Sequence, residues 1–181
     1  MTIRVVDYDP QWKATFQDLQ ARHQQALDDA GVAWKAIEHV GSTSVEGLAA
    51  KPVIDIDIVV AAQDVEAAST ALQALGYEPL GELGIEDRWA FRAPTDIPRT
   101  NTYIVVEGSL ALRNHLGVRT VLRNNPELRD TYASVKRALA ESTDDIDSYG
   151  AGKSDVLSRI LELAGLSDDE LLTIRQANSI D

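Results

Sequence analysis

Cysteine is absent from the 181 residues, which excludes a disulfide framework and any zinc–cysteine site. Basic residues are scarce. The 17 Lys and Arg face 29 Asp and Glu, leaving a net charge of −12. Binding to a nucleic-acid backbone depends on clustered cations that release counterions, so an extended polyanion is an unfavourable partner. No apolar run approaches a membrane span, and the N-terminus lacks the basic and apolar segments of a signal peptide. These absences point to a cytoplasmic protein with no membrane partner. No heptad seam indicates an oligomeric interface, and no internal repeat or low-complexity segment interrupts the chain. The 44% of hydrophobic residues suffices for one core in a chain of this length.

What is present is concentrated in two neighbouring stretches, Glu38-His39-Val40-Gly41-Ser42-Thr43-Ser44 and Lys51-Pro52-Val53-Ile54-Asp55-Ile56-Asp57-Ile58-Val59-Val60. Side chains alternate along a strand, so Asp55 and Asp57 project from one face, roughly 6.6 to 6.8 Å apart. Ile54, Ile56 and Ile58 cover the other. Paired carboxylates on a rigid strand suit a divalent cation, and Mg²⁺ can bridge phosphate oxygens while keeping several waters. In the preceding turn Gly41 lets backbone amides close on a phosphate, and Ser42 and Thr43 add neutral donors. Acid pair and turn together form the pattern of a nucleotidyl-transfer site, with Asp55 and Asp57 as catalytic metal ligands and Mg²⁺, or Mn²⁺, as cofactor. Glu107, at the end of the strand 102 to 106, or Glu86, before Arg88, could add a third carboxylate; without one the site can still bind a single Mg²⁺ with phosphate and waters completing its shell.

Periodicity and punctuation give the coarse elements. Trp12, Phe16, Leu19, His23 and Leu27 recur at helical spacing after Asp9-Pro10, and Gly31 stops that helix. Strands are expected at about 34 to 40 and 53 to 60, with a short helix or loop at about 44 to 50. A helix begins at Asp64 and ends at Gly76. Residues 88 to 92 and 102 to 106 read as further strands. The last third is helical, with starts at Asn125-Pro126, a stripe of Val156, Leu157, Ile160 and Leu161, and a capping box at Ser167 and Glu170. Asp144-Asp145-Ile146-Asp147 reads as a solvated loop.

The glycine turn, with Gly47-Leu48-Ala49-Ala50-Lys51-Pro52 and Asp55-Ile56-Asp57, resembles the signature of the GrpB family. Further points of likeness are Asp7-Tyr8-Asp9-Pro10, Trp12, Phe16, Arg99-Thr100-Asn101, His115, Arg119, Arg123, Pro126-Glu127, Tyr132, Lys136, Tyr149 and Lys153. The resemblance spans about residues 3 to 164. It implies an α+β, α/β-like fold of the nucleotidyltransferase type, a mixed sheet flanked by helices with a helical C-terminal third. It also implies a domain over 1–165 followed by a short helix or tail over 166–181. Two positions depart from the family pattern. Glu46 stands where proline is usual, adding an acid near the phosphate turn, and Thr102-Tyr103-Ile104 lacks a histidine that many relatives carry.

The resulting reading is an Mg²⁺-dependent nucleotidyltransferase acting on a nucleoside triphosphate and an unknown acceptor. The alternative is a non-catalytic nucleotide- or anion-binding accessory domain, since GrpB-like domains also occur fused to dephospho-coenzyme A kinases. Either reading makes the partner a small nucleotide or phosphorylated ligand. Gly41, Ser42, Thr43, Lys51, Arg99, Asn101, His115, Arg119 and Arg123 are the candidate phosphate- or substrate-binding residues. Each has a plainer role available. Lys51 can pair with Asp55, Gly41 can serve its turn alone, and His115, Arg119 and Arg123 can occupy a solvated helix face. His39 reads as a structural histidine, and Lys136 and Lys153 as residues that can line the same cleft.

Overall fold

The computed structural model describes residues 3–143 and 145–177. Helix α1 (Gln11–Asp29) buries Trp12, Phe16, Leu19, His23 and Leu27, the stripe its spacing defines. Strand β1 (Trp34–Val40) leads into a 3₁₀ turn at Ser42–Ser44, and β2 (Ile54–Val60) carries the two aspartates. Helix α2 (Val65–Ala74) returns the chain to β3 (Glu78–Gly81), β4 (Arg88–Arg92) and β5 (Thr100–Val106). The remainder is helical: α3 (Leu110–Asn124), α4 (Pro126–Ser142), α5 (Ile146–Gly152), α6 (Ser154–Leu163) and α7 (Asp168–Ala177).

The five strands form one mixed sheet in the order β1-β2-β5-β4-β3, in which only β2 and β5 run parallel. Ile54, Ile56, Ile58 and Val60 share a core with Phe16, Leu19 and Leu27 of α1 and with Ala68 and Leu72 of α2. On the opposite face, Val59 and Val105 pack against Leu112 and Leu116 of α3. The acids therefore emerge on the α3 side. A separate cluster joins Val45 and Leu48, just after the glycine turn, to Leu122 of α3, Tyr132 of α4 and Ile160 of α6. That cluster docks the helical third against the turn.

Two local features differ from the sequence reading. Asp144 lies outside the described residues, but the rest of the acidic stretch is not a loop: Asp145 accepts from the Ser148 amide at 2.9 Å and caps α5. A carboxylate at a helix start satisfies a free amide and suits the helix dipole, which explains acids there. Asp9 acts at α1 by accepting from Gln11 N at 2.9 Å. The expected capping box is present, with Ser167 N donating to Glu170 Oε2 at 2.8 Å and Glu170 N to Ser167 Oγ at 3.4 Å. Helix α7 packs through Leu171 and Ile174 against Leu161 of α6 and Leu110 of α3. Among the described residues no helix is long and apolar enough to cross a membrane.

A histidine lies at the centre of the α1 stripe. His23 is fully buried and shares a 2.8 Å hydrogen bond with the Tyr77 hydroxyl. Burial, helped by the Arg22 charge, pushes its pKa down to about 4. The unfolded chain takes up this proton near pH 6.5, so the stability held by the neutral ring is complete above that pH and is lost as pH falls towards 4. Urea unfolding of wild type and His23→Gln from pH 7.5 to 4.5 is expected to show a stability gap that narrows below pH 6.5, by up to about 1.4 kcal/mol per pH unit. A gap constant across that range would show that the ring does not resist protonation.

Candidate functional site

The site is organised by Gly41. It sits at φ 67°, ψ −173°, a region essentially limited to glycine, and a Cβ there would lie 2.0 Å from Asp55 Oδ2. The turn thus presses directly onto the first aspartate, whose Oδ1 accepts from Asn101 Nδ2 at 2.7 Å. Asp57 is fully buried. Its Oδ2 is held 2.7 Å from His115 Nδ1, and its Oδ1 has no hydrogen-bond partner. Burial of the imidazole disfavours its charge, but the adjacent Asp57 carboxylate and their hydrogen bond outweigh that and raise the His115 pKa. Asp55 is held up to about 6, chiefly by burial, with the Asp57 charge adding to the effect and Asn101, His115 and Lys51 opposing it.

Asp55 opens on a pocket of about 240 Å³ whose wall also includes Gly41, Ser42, Thr43, Lys51, Asn101 and His115. The opposite wall comes from the helical third: Tyr132 and Lys136 of α4, Tyr149 of α5 and Lys153 just after it. Each of these lysines lies over the tyrosine four residues before it, with Nζ 4.6 Å from the ring centroid in both cases, and Lys51 Nζ is 5.2 Å from the Tyr149 ring. Close packing of α5 on α4 sets this wall, because a Cβ on Gly152 would meet the Leu139 side chain at 2.4 Å.

Lys136 is the unusual member, buried to 2% exposure with Nζ donating to Ser42 Oγ at 3.0 Å. Burial first, then the neighbouring Lys153 charge, push its pKa down to about 7. Burial and Lys51 bring Lys153 to about 8, and burial lowers Lys51 as well. Burial alone lifts the Tyr149 phenol to about 12. Lys51 disfavours the charge of Lys153, and both disfavour that of Lys136, an arrangement that an anion relieves.

The candidate residues divide. Arg119 and Arg123 do not line this pocket: Arg119 is tied to Glu38 Oε2 at 2.7 Å and to the His39 carbonyl at 2.8 Å, and Arg123 to the Ser44 carbonyl at 2.7 Å. Arg99 is exposed and lies outside it too. His115 and Arg119 share a helix face as their spacing implies, but that face meets the acids of β2 and β1 rather than solvent. His39 projects from the other side of the sheet, stacked on Phe16 at 4.6 Å and 3.0 Å from Thr43 Oγ1. Thr43 Oγ1 in turn donates to the Val53 carbonyl at 3.2 Å, so it braces the turn. Glu46 lines a groove beyond the turn instead of the pocket beside Asp55.

Neither Glu107 nor Glu86 joins the aspartates as a third carboxylate. Beside the aspartates the β2–β5 register places Asn101 next to Asp55 and Tyr103 next to Asp57. Glu107 is exposed and pairs with Lys35 at 3.9 Å, while Glu86 is exposed in the loop before β4. Among the described residues no group of three or more His, Cys, Asp or Glu could hold a metal ion. The two aspartates still fit one Mg²⁺, because a buried carboxylate oxygen without a partner, Asp57 Oδ1, stands beside the pocket-facing Asp55. Sequence reasoning missed Tyr132 and Tyr149 as pocket residues. Their signal was the twice-repeated Tyr-x-x-x-Lys spacing.

Comparison with known proteins places this geometry. The family model for GrpB protein matches residues 2–163. A UPF0157 protein of Streptomyces coelicolor is 36% identical over 169 residues, which cover 91% of this chain and 86% of that protein. A dephospho-CoA kinase of Mycolicibacterium paratuberculosis is 32% identical, over 83% of this chain and 43% of the kinase. The crystal structure of the conserved protein GrpB from Enterococcus faecalis superposes with a TM-score of 0.76 at 30% identity, over 90% of this chain and 100% of that one. A structure of the GLD-2/RNP-8 complex matches at TM-score 0.54 and 14% identity, over 84% of this chain and 60% of that one, a likeness of fold alone. The architecture is the nucleotidyltransferase-like fold, a mixed sheet with flanking helices and a helical C-terminal part.

The Gly41 contact yields a direct test of the site's construction. Gly41→Ala is expected to cost about 2 to 4 kcal/mol in urea unfolding, from the clash and the disallowed φ together. Asp55→Ala removes the two closest contacts, leaving only the Cβ at 2.9 Å and the backbone strain, so the cost of Gly41→Ala should fall by at least about 1 kcal/mol in that background. Equal costs in the two backgrounds would show that the carboxylate is not packed on the glycine.

Proposed function

The chain belongs to the GrpB family, and on that premise we propose that its pocket binds the phosphate chain of a nucleoside triphosphate and supports transfer of the nucleotidyl group to an acceptor. The observation that carries the reading is the buried Lys136 amine, held against the Ser42 turn and flanked by Lys51 and Lys153 opposite Asp55. Three amines around a cavity in a chain of net charge −12 call for a ligand of concentrated negative charge. A pocket of about 240 Å³ is smaller than the roughly 300 to 1,000 Å³ usual for whole ligands, so it suits the phosphates while the nucleoside lies towards solvent.

Asp55 and Asp57 would hold the Mg²⁺, which when bound neutralises phosphate charge. The lysines and the Ser42 hydroxyl would hold the β- and γ-phosphates and stabilise them as they depart. In the transfer, an acceptor oxygen or nitrogen bonds to the α-phosphorus, the bond to the β-bridging oxygen breaks, pyrophosphate leaves, and the acceptor gives up a proton. His115 keeps Asp57 oriented, and Asn101 does the same for Asp55. The site lies within residues 1–165, and the proposal gives α7 no part in it.

A second reading, a nucleotide- or anion-binding module without turnover, is favoured by one observation: Asn101 and Tyr103 occupy the positions where a third metal-binding acid would stand. The two readings share binding and differ in chemistry. Calorimetric titration with each nucleoside triphosphate, with and without Mg²⁺, is expected to show metal-assisted binding that weakens at least tenfold in Lys153→Met and in Asp55→Asn. Near pH 8 binding should take up protons, because phosphate restores charge to Lys136 and Lys153, and buffers of different ionisation enthalpy measure this directly. Pyrophosphate release across varied acceptors marks the transferase, and binding without release marks the module. No saturable binding of any triphosphate would overturn the transferase, and no binding of inorganic phosphate or pyrophosphate either would overturn the module.

A further inference from the structure

A second concavity, of about 1070 Å³, runs along the outer edge of β1 between α1 and the start of α4, on the far side of the Ser42–Ser44 turn from the acid pocket. It is not built for strand addition. The Ile37 carbonyl on that edge already accepts from Gln20 Nε2 at 2.9 Å, and the His39 carbonyl accepts from Arg119. Its lining runs against the charge of the whole molecule: Lys13, Arg119, Arg123 and Arg129 line it with only Glu38 and Glu46, although Arg129 also pairs with Asp130 at 2.9 Å.

Arg119 and Arg123 stand on successive turns of α3, and the one acid bonded there, Glu38, is held by Arg119. Arg123 is exposed, gives Nε and Nη2 to the Ser44 carbonyl, and among the described residues is bonded to no carboxylate. Its Nη1 remains for a ligand. Partial burial and the Arg119 charge lower its pKa, and burial together with both arginines pushes His39 to about 4, so positive potential accumulates at this spot. Guanidinium groups recognise phosphate through paired N–H donors. The same groove exposes parts of the Tyr8 and Trp34 rings and the amides of Gln17 and Gln20, which suit a planar ring with hydrogen-bonding edges.

We propose that this groove is a second anion site, separate from the acid pocket, that takes a phosphomonoester carrying a planar ring, a ligand of nucleoside-monophosphate type. The phosphate lies on Arg123 and Arg119, and the ring lies towards Tyr8 and Trp34. The site stands whether or not the acid pocket transfers nucleotides. The two sites are mechanically linked, because Arg123 grips Ser44 and Lys136 grips Ser42 of one short turn, and Thr43 lines both cavities.

The test is calorimetric titration of the full chain with AMP in EDTA, which keeps divalent ions off the aspartates. AMP is expected to bind one to one, with affinity at least about tenfold weaker in Arg123→Gln and in the double variant Lys13→Glu/Arg129→Glu, and within about twofold of wild type in Lys153→Met. Neither residue of the double variant bonds Ser42, Thr43 or Ser44, Arg129 donating instead to the Glu46 carbonyl at 3.3 Å, so that variant decides the matter if Arg123→Gln loosens the turn. Adenosine and ribose 5-phosphate should each bind more weakly than AMP. The proposal fails if AMP does not saturate, or if Lys153→Met abolishes binding while the rim variant leaves it intact. It also fails if adenosine or ribose 5-phosphate binds as tightly as AMP.

Discussion

The contact between Gly41 and the Asp55 carboxylate is the constraint on which the rest of the site depends. It fixes a strand that carries two acids against a turn that carries Ser42, and it does so only because no side chain stands between them. Asn101 from the neighbouring parallel strand holds the other oxygen of Asp55, and His115 from α3 holds Asp57. The sheet thus presents its acids already oriented, with their desolvation partly offset by neutral or cationic partners. Such preorganisation limits the cost of gathering charge when a ligand arrives.

Against this rigid face stands a wall of opposite charge supplied by the helical third. The cluster of Val45, Leu48, Leu122, Tyr132 and Ile160 docks those helices on the segment that follows the turn, so apolar burial positions Lys136 and Lys153. Burying an amine is unfavourable unless something else gains, and here the tyrosine rings and Ser42 offset only part of it. The remaining imbalance is the physical reason to expect an anion. The chain keeps this local excess of positive charge inside a strongly acidic molecule, which discourages long polyanions and leaves small ones free to enter.

Much of the sheet side was legible in the sequence. Alternation placed Asp55 and Asp57 on one face and the isoleucines on the other, and the glycine turn was recognisable from its residues alone. The reason for Gly41 was only half legible, since its positive φ could be guessed but its contact with Asp55 could not. Strand register decided the missing third acid, and pairing of Asp55 with Asn101 and of Asp57 with Tyr103 joins segments some 46 positions apart that no local pattern connects. Helical spacing put His115 and Arg119 on one face, yet nothing in it said that the face would meet Asp57 and Glu38. The two Tyr-x-x-x-Lys pairs were visible as words, but their convergence on Ser42 depends on helix docking across 94 positions.

The most direct test of this account is a crystal structure with a nucleoside triphosphate whose α,β-bridge cannot be cleaved, soaked with Mg²⁺. The account places phosphate oxygens within hydrogen-bond reach of Lys136 and Lys153 Nζ, with the ion on Asp55 and Asp57. Phosphates bound elsewhere at full occupancy, with these two amines facing an empty cavity, would contradict it.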